Sequence, residues 1–168
     1  MMTLDQRMTS AADDDVVVFL IGMRVNRWWK PWQWLRTAMA MPRMLRELSA
    51  HPEFGLLSSE AWFGRTTMLV SYWKSMDHLL DYAKLRNAKH LPAWRDFNRL
   101  VGMNGDVGIW HETYRVHAGD YENVYVNMPA FGLGKARGVR EAVGHRSSAA
   151  GRLKPTAEGT AQPVGAAE

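Results

Sequence analysis

The order of strand and helix signals along this chain predicts an α+β fold, β-α-β-β-α-β, built on one antiparallel sheet: the ferredoxin-like split arrangement. Three observations predict it. Val16-Val17-Val18-Phe19-Leu20-Ile21 is a short run of β-branched and aromatic residues, too short for a helix and suited to a strand. Two more such runs, residues 56–63 and 66–73, flank Gly64-Arg65, which reads as a two-residue hairpin loop with Gly64 supplying the positive φ of a type II′ turn. Helical stretches rich in Met, Leu and Ala lie between the first and second strand signals and again before a fourth at residues 107–116.

Each element has its own signal. Residues 1–14 hold no periodic apolar pattern and read as a flexible N-terminal arm. Residues 31–50 read as helical: Pro31 suits a first turn, Pro42 is expected to kink or divide the helix, and His51-Pro52 closes it. Ser75 is a good N-cap for the next helix, whose packing surface is Leu79, Leu80, Tyr82 and Ala83. A break is expected at residues 87–90. Pro92 then opens a further helical segment in which Trp94, Phe97 and Val101 share a face, ended by Gly102 and Asn104-Gly105. A further short strand fits residues 121–128. The domain therefore spans residues 15–128, followed by a C-terminal extension or lid at 129–143. Residues 144–168, rich in Ala, Gly, Ser and Pro, read as a disordered tail.

Composition narrows the chemistry. Hydrophobic residues make up 46% of the chain, enough for a real core. There is no cysteine, which removes disulfides, thiolate zinc sites and cysteine nucleophiles and fits a reducing, cytoplasmic setting. No His-x-x-x-His pair, acid-rich cluster or phosphate loop is present, so no metal site is expected. No apolar run reaches the roughly 18–20 residues of a membrane span. The N-terminus lacks the apolar core of a secretory signal. Net charge is +4, and the segment from Lys135 onward carries six basic against three acidic residues; a nearly neutral body with a mildly basic tail argues against a nucleic-acid partner.

Strand alternation puts Met68, Val70 and Tyr72 on one face of the third strand and Leu69 and Trp73 on the other. Both sets are apolar. Helices on one side of a four-stranded sheet leave the other bare, and a patch of that kind exceeds what monomers ordinarily expose. A second copy packed face to face is the economical cover, so a homodimer is expected.

Several longer motifs carry a family likeness: Ile21-Gly22-Met23-Arg24-Val25-Asn26, Trp28-Trp29-Lys30, Met41-Pro42-Arg43-Met44-Leu45-Arg46-Glu47-Leu48, Tyr72-Trp73-Lys74-Ser75, His90-Leu91-Pro92-Ala93-Trp94-Arg95, Gly105-Asp106-Val107-Gly108-Ile109-Trp110-His111-Glu112-Thr113-Tyr114 and Asn127-Met128-Pro129-Ala130-Phe131-Gly132-Leu133-Gly134. Together they resemble a bacterial and fungal monooxygenase family that includes an enzyme of the fumagillin pathway. The resemblance covers residues 16–136. It implies a dimeric α+β barrel, within a superfamily that also holds antibiotic-biosynthesis monooxygenases, haem-degrading monooxygenases and haem aldoxime dehydratases.

The chemistry-bearing residues concentrate in residues 66–114, which hold His78, His90 and His111 with Trp73, Trp94 and Trp110. His90 precedes Pro92 after a helix break. In haem-degrading relatives a histidine similarly late in the second helix ligates iron, so the resemblance implies an axial-ligand role; the plainer alternative is a helix-capping imidazole. His111 shares a strand face with Ile109 and Thr113, while Trp110, Glu112 and Tyr114 take the other. Pointing into a barrel it is a general base for neutral pH; otherwise it is a satisfied core histidine. His78, in the first turn of its helix, reads as a surface residue. Tyr72, Trp73, Trp94 and Phe97 are candidate walls for an aromatic substrate, or plain core, and Arg95 or Arg24 a candidate partner for an anionic group. The block holding Trp28, Trp29, Trp32 and Trp34 among Arg and Lys suits either a peripheral membrane contact or packing over the sheet and dimer seam.

The function these readings favour is an oxygen-using monooxygenase acting on a small hydrophobic or aromatic metabolite. In a cofactor-free route, His111 or His90 deprotonates the substrate and the anion reacts with O2. In a haem route, His90 ligates iron. A non-catalytic binding protein or membrane-surface protein is the competing class.

Overall fold

The computed structural model describes residues 3–84 and 105–153. They fall into two compact units, one formed by residues 16–115 and one by the segments on either side of it in sequence.

The larger unit has the expected order of elements among its described residues. In chain order, with β1 (Met8–Ser10) in the other unit, it contains β2 (Val16–Val25), α1 (Pro31–Ala38), α2 (Ala40–Ala50), a 3-10 turn at Pro52–Phe54, β3 (Leu56–Trp62), β4 (Met68–Trp73), α3 (Met76–Lys84) and β5 (Val107–Val116). The sheet runs β3-β4-β2-β5, so the first strand lies between the third and the last. Both β2–β4 and β3–β4 are antiparallel, with Val18 opposite Tyr72 and Leu20 opposite Val70. The fold is thus α+β with antiparallel sheets. No helix among the described residues is long and apolar enough to cross a membrane. The helical segment expected from Pro92 lies outside the described residues.

The two faces of β4 differ as alternation requires. Leu69, Ser71 and Trp73 are buried, and Met68, Val70 and Tyr72 are only half-buried. Trp73 joins Val17, Leu48, Leu79 and Tyr82 in a core between sheet and helices. Burial of side chains of this size contributes roughly 1.5–3 kcal/mol each. A second cluster pairs Met23 and Val107 with Trp34, Ala38 and Ile109, and docks α1.

Local details depart from the sequence expectations. The helix divides at Met39, not Pro42, which leaves Pro42 in the first turn of α2. There its missing N–H costs no intrahelical bond. Gly64 does not take a positive φ. Thr66 bridges to Arg24, Thr67 N–H donates to the Met23 carbonyl and the Arg65 carbonyl accepts from the Val25 N–H, so residues 65–67 bond to β2 within a longer 63–67 connection, and the type II′ hairpin does not form. Ser75 caps α3 as expected, its Oγ accepting from the His78 N–H at 3.3 Å.

In the smaller unit, residues assigned to an arm are partly a strand: β1 pairs antiparallel with β6 (Val139–Glu141). Residues 121–128 form no strand; Tyr125 makes an isolated bridge to Met8. The stretch 129–143 contains a short helix, Gly132–Arg137, and β6. Residues 144–152, placed in a disordered tail, form a 3-10 turn at Gly144–Ser147 and a helical turn at Ala149–Arg152, capped by Ser148. Arg152 and Arg140 tie this unit together through Glu122 and Asp13. Such contacts join residues far apart in sequence, which is why a polar, aperiodic segment read as unstructured.

Candidate active site

The sheet's helix side and the helices enclose a long apolar groove with a volume of about 2380 Å³. Alternation builds its floor. Phe19, Ile21, Met23 and Val25 of β2 lie beside Ile109, His111 and Thr113 of β5. The walls come from Met41, Met44 and Leu45 of α2 and from Leu79, Leu80 and Ala83 of α3. The described lining contains no aspartate or glutamate; its charges are Arg43 and Arg65.

His111 is the one imidazole among the described residues on this wall. Its ring centroid lies 5.9 Å from that of Phe19, tilted by 43°. His111 is an exposed imidazole on an apolar wall with no carboxylate among the described lining residues, and is suited to accept a proton from a bound molecule.

Two expected substrate-binding residues do not line the groove. Trp73 is buried in the core, where its indole N–H donates to Ser71 Oγ at 3.0 Å. Tyr72 projects from the opposite sheet face, and burial, then the nearby Glu60 carboxylate, pushes its phenol pKa up. Trp94, Phe97, Arg95 and His90 lie outside the described residues. His78 is structural: its ring covers Gly55, and Nδ1 shares a hydrogen bond with Ser75 Oγ at 2.7 Å. Tyr82 donates to Glu47 at 3.1 Å, and burial and that carboxylate hold its phenol well above its ordinary pKa. Among the described residues no group of three or more His, Asp or Glu is placed to hold a metal ion.

One residue that sequence reasoning missed organises the groove's end. Asp106 is buried, and its two carboxylate oxygens take Arg27 at 2.6 Å and Lys30 at 2.8 Å. Its carbonyl accepts from the N–H groups of Asn26 and Arg27. These bonds hold the turn that carries Trp28 and Trp29, and Lys30 followed by Arg27 keeps the Asp106 carboxyl below the usual carboxylate range. The only sequence signal was an aspartate directly after the Asn104-Gly105 turn.

Of the four tryptophans in residues 28–34, Trp34 alone packs inward, with its indole N–H donating to the Trp28 carbonyl at 3.1 Å. Trp28, Trp29 and Trp32 are exposed at the rim.

The family model for monooxygenase af470-like proteins matches residues 16–133. The chain belongs to the monooxygenase af470-like family. The match takes in all of the described groove, including β2, both helices of the tryptophan region and His111. A curated relative within reach of this af470-like chain is Monooxygenase af470 of Aspergillus fumigatus, 32% identical over 89 residues. That alignment covers 49% of this chain and 31% of the relative, so the chain spans about a third of the fungal protein. Among solved structures, an aldoxime dehydratase in complex with butyraldoxime superposes with a TM-score of 0.59 at 15% identity. The superposition covers 82% of this chain and 44% of that one, and at such identity it speaks for a shared fold alone.

Proposed function

We propose that this af470-like protein is an oxygen-using enzyme that oxidises a small hydrophobic or aromatic metabolite in the groove, with His111 as general base. The observation that carries this reading is His111 itself: an imidazole on an apolar wall with no carboxylate among the described lining residues, with Phe19 beside it to stack a flat substrate. Membership of a monooxygenase family supports O2 as co-substrate. His111 takes a proton from an electron-rich CH2 or phenol. The resulting anion gives its electrons to O2, one oxygen atom stays on carbon as a carbonyl, and the other leaves as water. For a CH2 group the balance is CH2 + O2 → C=O + H2O, so the substrate supplies every electron and no external reductant is needed. The groove orients the substrate and strips water from the anion, which raises its reactivity.

Oxygen uptake with an electron-rich phenol or an activated CH2 compound tests the proposal. His111→Ala should lower kcat by about 10²–10⁴-fold, the usual worth of a positioned base. Unchanged uptake in that variant overturns His111 as base.

A haem-binding reading has two supporting observations. The groove far exceeds the roughly 300–1,000 Å³ of ordinary small-molecule sites, which leaves room for a macrocycle. Arg43 and Arg65 are cations suited to its propionates. The ligand the resemblance implies, His90, lies outside the described residues. Haem held there would supply a redox-active iron. Protein produced with added haem should then show a Soret band that His90→Ala abolishes; a colourless protein with oxygen uptake rejects this reading.

The homodimer belongs to the same proposal. Val18, Leu20, Val70 and Tyr72 form a half-buried apolar patch on the sheet face away from the described helices, the kind of surface a second copy covers.

A further inference from the structure

The rim of the groove carries an apolar surface that the oxidation chemistry does not use. In α1, Trp34 and Ala38 face the core at i, i+4 spacing. A second stripe, Trp32, Leu35 and Met39, runs at i, i+3, i+7 and is 66%, 52% and 43% exposed. A helix with one docked stripe and one exposed apolar stripe has a surface built for something outside its own core. Beside it stand Trp28 and Trp29, 73% and 56% exposed, held out by the Asp106-anchored turn. Phe63, 88% exposed, projects from the connection between β3 and β4 and borders the same groove.

The charge pattern around these rings is one-sided. Residues 24–46 contain six basic side chains and no acidic one. Asp106 engages two of them, Arg27 and Lys30, and neutralises one charge. Arg24, Arg43, Arg46 and Arg65 are exposed. Exposed indoles, whose amphipathic rings favour headgroup depth, combined with an excess of arginine and lysine on one surface, are the marks of a protein that lies on an anionic bilayer. A second copy suits this surface less well: a two-fold contact would set like-charged arginine surfaces against each other with no carboxylate in the described lining to pair them.

We infer that the surface formed by Trp28, Trp29, Trp32, Leu35, Met39 and Phe63 docks on an anionic phospholipid membrane, with the arginines at headgroup level and the groove mouth opening toward the lipid. A substrate that partitions into the bilayer then enters the groove without crossing water. This inference is independent of the reaction proposed above, because its readout needs no turnover.

Flotation of the full chain with phosphatidylcholine vesicles, with and without phosphatidylserine, tests it. The protein should float with the phosphatidylserine vesicles, float much less with phosphatidylcholine alone, and be released as salt rises. A Trp32→Ala/Phe63→Ala variant should lose at least about tenfold in vesicle partitioning, since both rings leave the bilayer. Both side chains are exposed, so their removal opens no cavity. An Arg43→Glu/Arg65→Glu variant supplies a second readout and should lose the preference for phosphatidylserine while its aromatics remain. Failure of the wild-type protein to float, or equal flotation of wild type and the aromatic variant, overturns the inference. So does a lipid-free change in sedimentation coefficient in the aromatic variant, which would make the surface a seam between copies or a seat for another protein.

Discussion

Gly22 decides how closely β2 approaches the chain entering β4. A Cβ at this position would lie 2.0 Å from the Thr67 carbonyl oxygen and 2.6 Å from Trp110 Nε1. The obstacle is backbone, so it does not yield as a flexible side chain would. Gly22→Ala is expected to destabilise the fold by about 1–3 kcal/mol, the usual cost of overpacking, read as a lower urea midpoint at unchanged m-value. Asp106 makes a pH-dependent contribution. Its carboxyl pKa is lowered in the folded chain by Lys30 and then Arg27, so the folded state favours the charged form. That stability is present above the unfolded carboxyl value of about 3.9 and is lost as pH falls through the folded value. Urea midpoints measured across acid pH should show this loss. Asp106→Asn should lower the midpoint at neutral pH and flatten the acid limb; parallel profiles for the two proteins would refute the role. Neither residue was legible beforehand. Asp106 meets Arg27 and Lys30 at sequence separations of 79 and 76, and nothing local marks such a pair. What was legible of His111 is the face it shares, because strand period places it with Ile109 and Thr113 whatever the rest of the chain does; whether that face meets a groove was not.

At the scale of elements, local chemistry was read well where it is truly local. Ser75 was expected to cap α3 and does so, because an N-cap needs only the residue and the next turn. Ser75→Ala should cost about 1 kcal/mol by the loss of that cap, with a somewhat larger effect if the His78 ring, freed from Ser75 Oγ, also moves off Gly55. Thermal or urea unfolding measures it, and rescue by Ser75→Asp distinguishes capping from packing. The helix break illustrates the opposite case. Pro42 was a reasonable place to divide residues 31–50, yet the docking of Trp34 and Ala38 on Met23 and Val107 orients α1, and α2 restarts at Ala40 to bury Leu48. Proline then needs only a first-turn position. The pairing of β1 with β6 escaped notice for a similar reason: three-residue strands hold too few positions to show a period, and each is specified by its partner.

For the molecule as a whole, the half-buried apolar sheet face makes a prediction about assembly. Sedimentation should find a dimer, and Val70→Lys, which sets a charge in the centre of the half-buried apolar patch, should shift it to monomer while leaving the helix-side core of Leu69 and Trp73 intact. A monomeric wild-type protein would remove the second copy from the functional reading. The sequence by itself determined the succession of strands and helices in residues 16–84 and 105–116, the polarity of each strand face, the cap of α3 and the family likeness. All of these depend on residue type and on spacings of a few positions. The tertiary structure alone decided that His111 opens onto a groove whose described lining holds no carboxylate, while Trp73 is core and Tyr72 faces away. It also decided that Trp34 turns inward while Trp28, Trp29 and Trp32 stay at the rim, and that Asp106 anchors the turn carrying Trp28 and Trp29. Those outcomes depend on which distant segments meet, and a one-dimensional pattern carries that information only as the aggregate demand for burial, not as particular contacts.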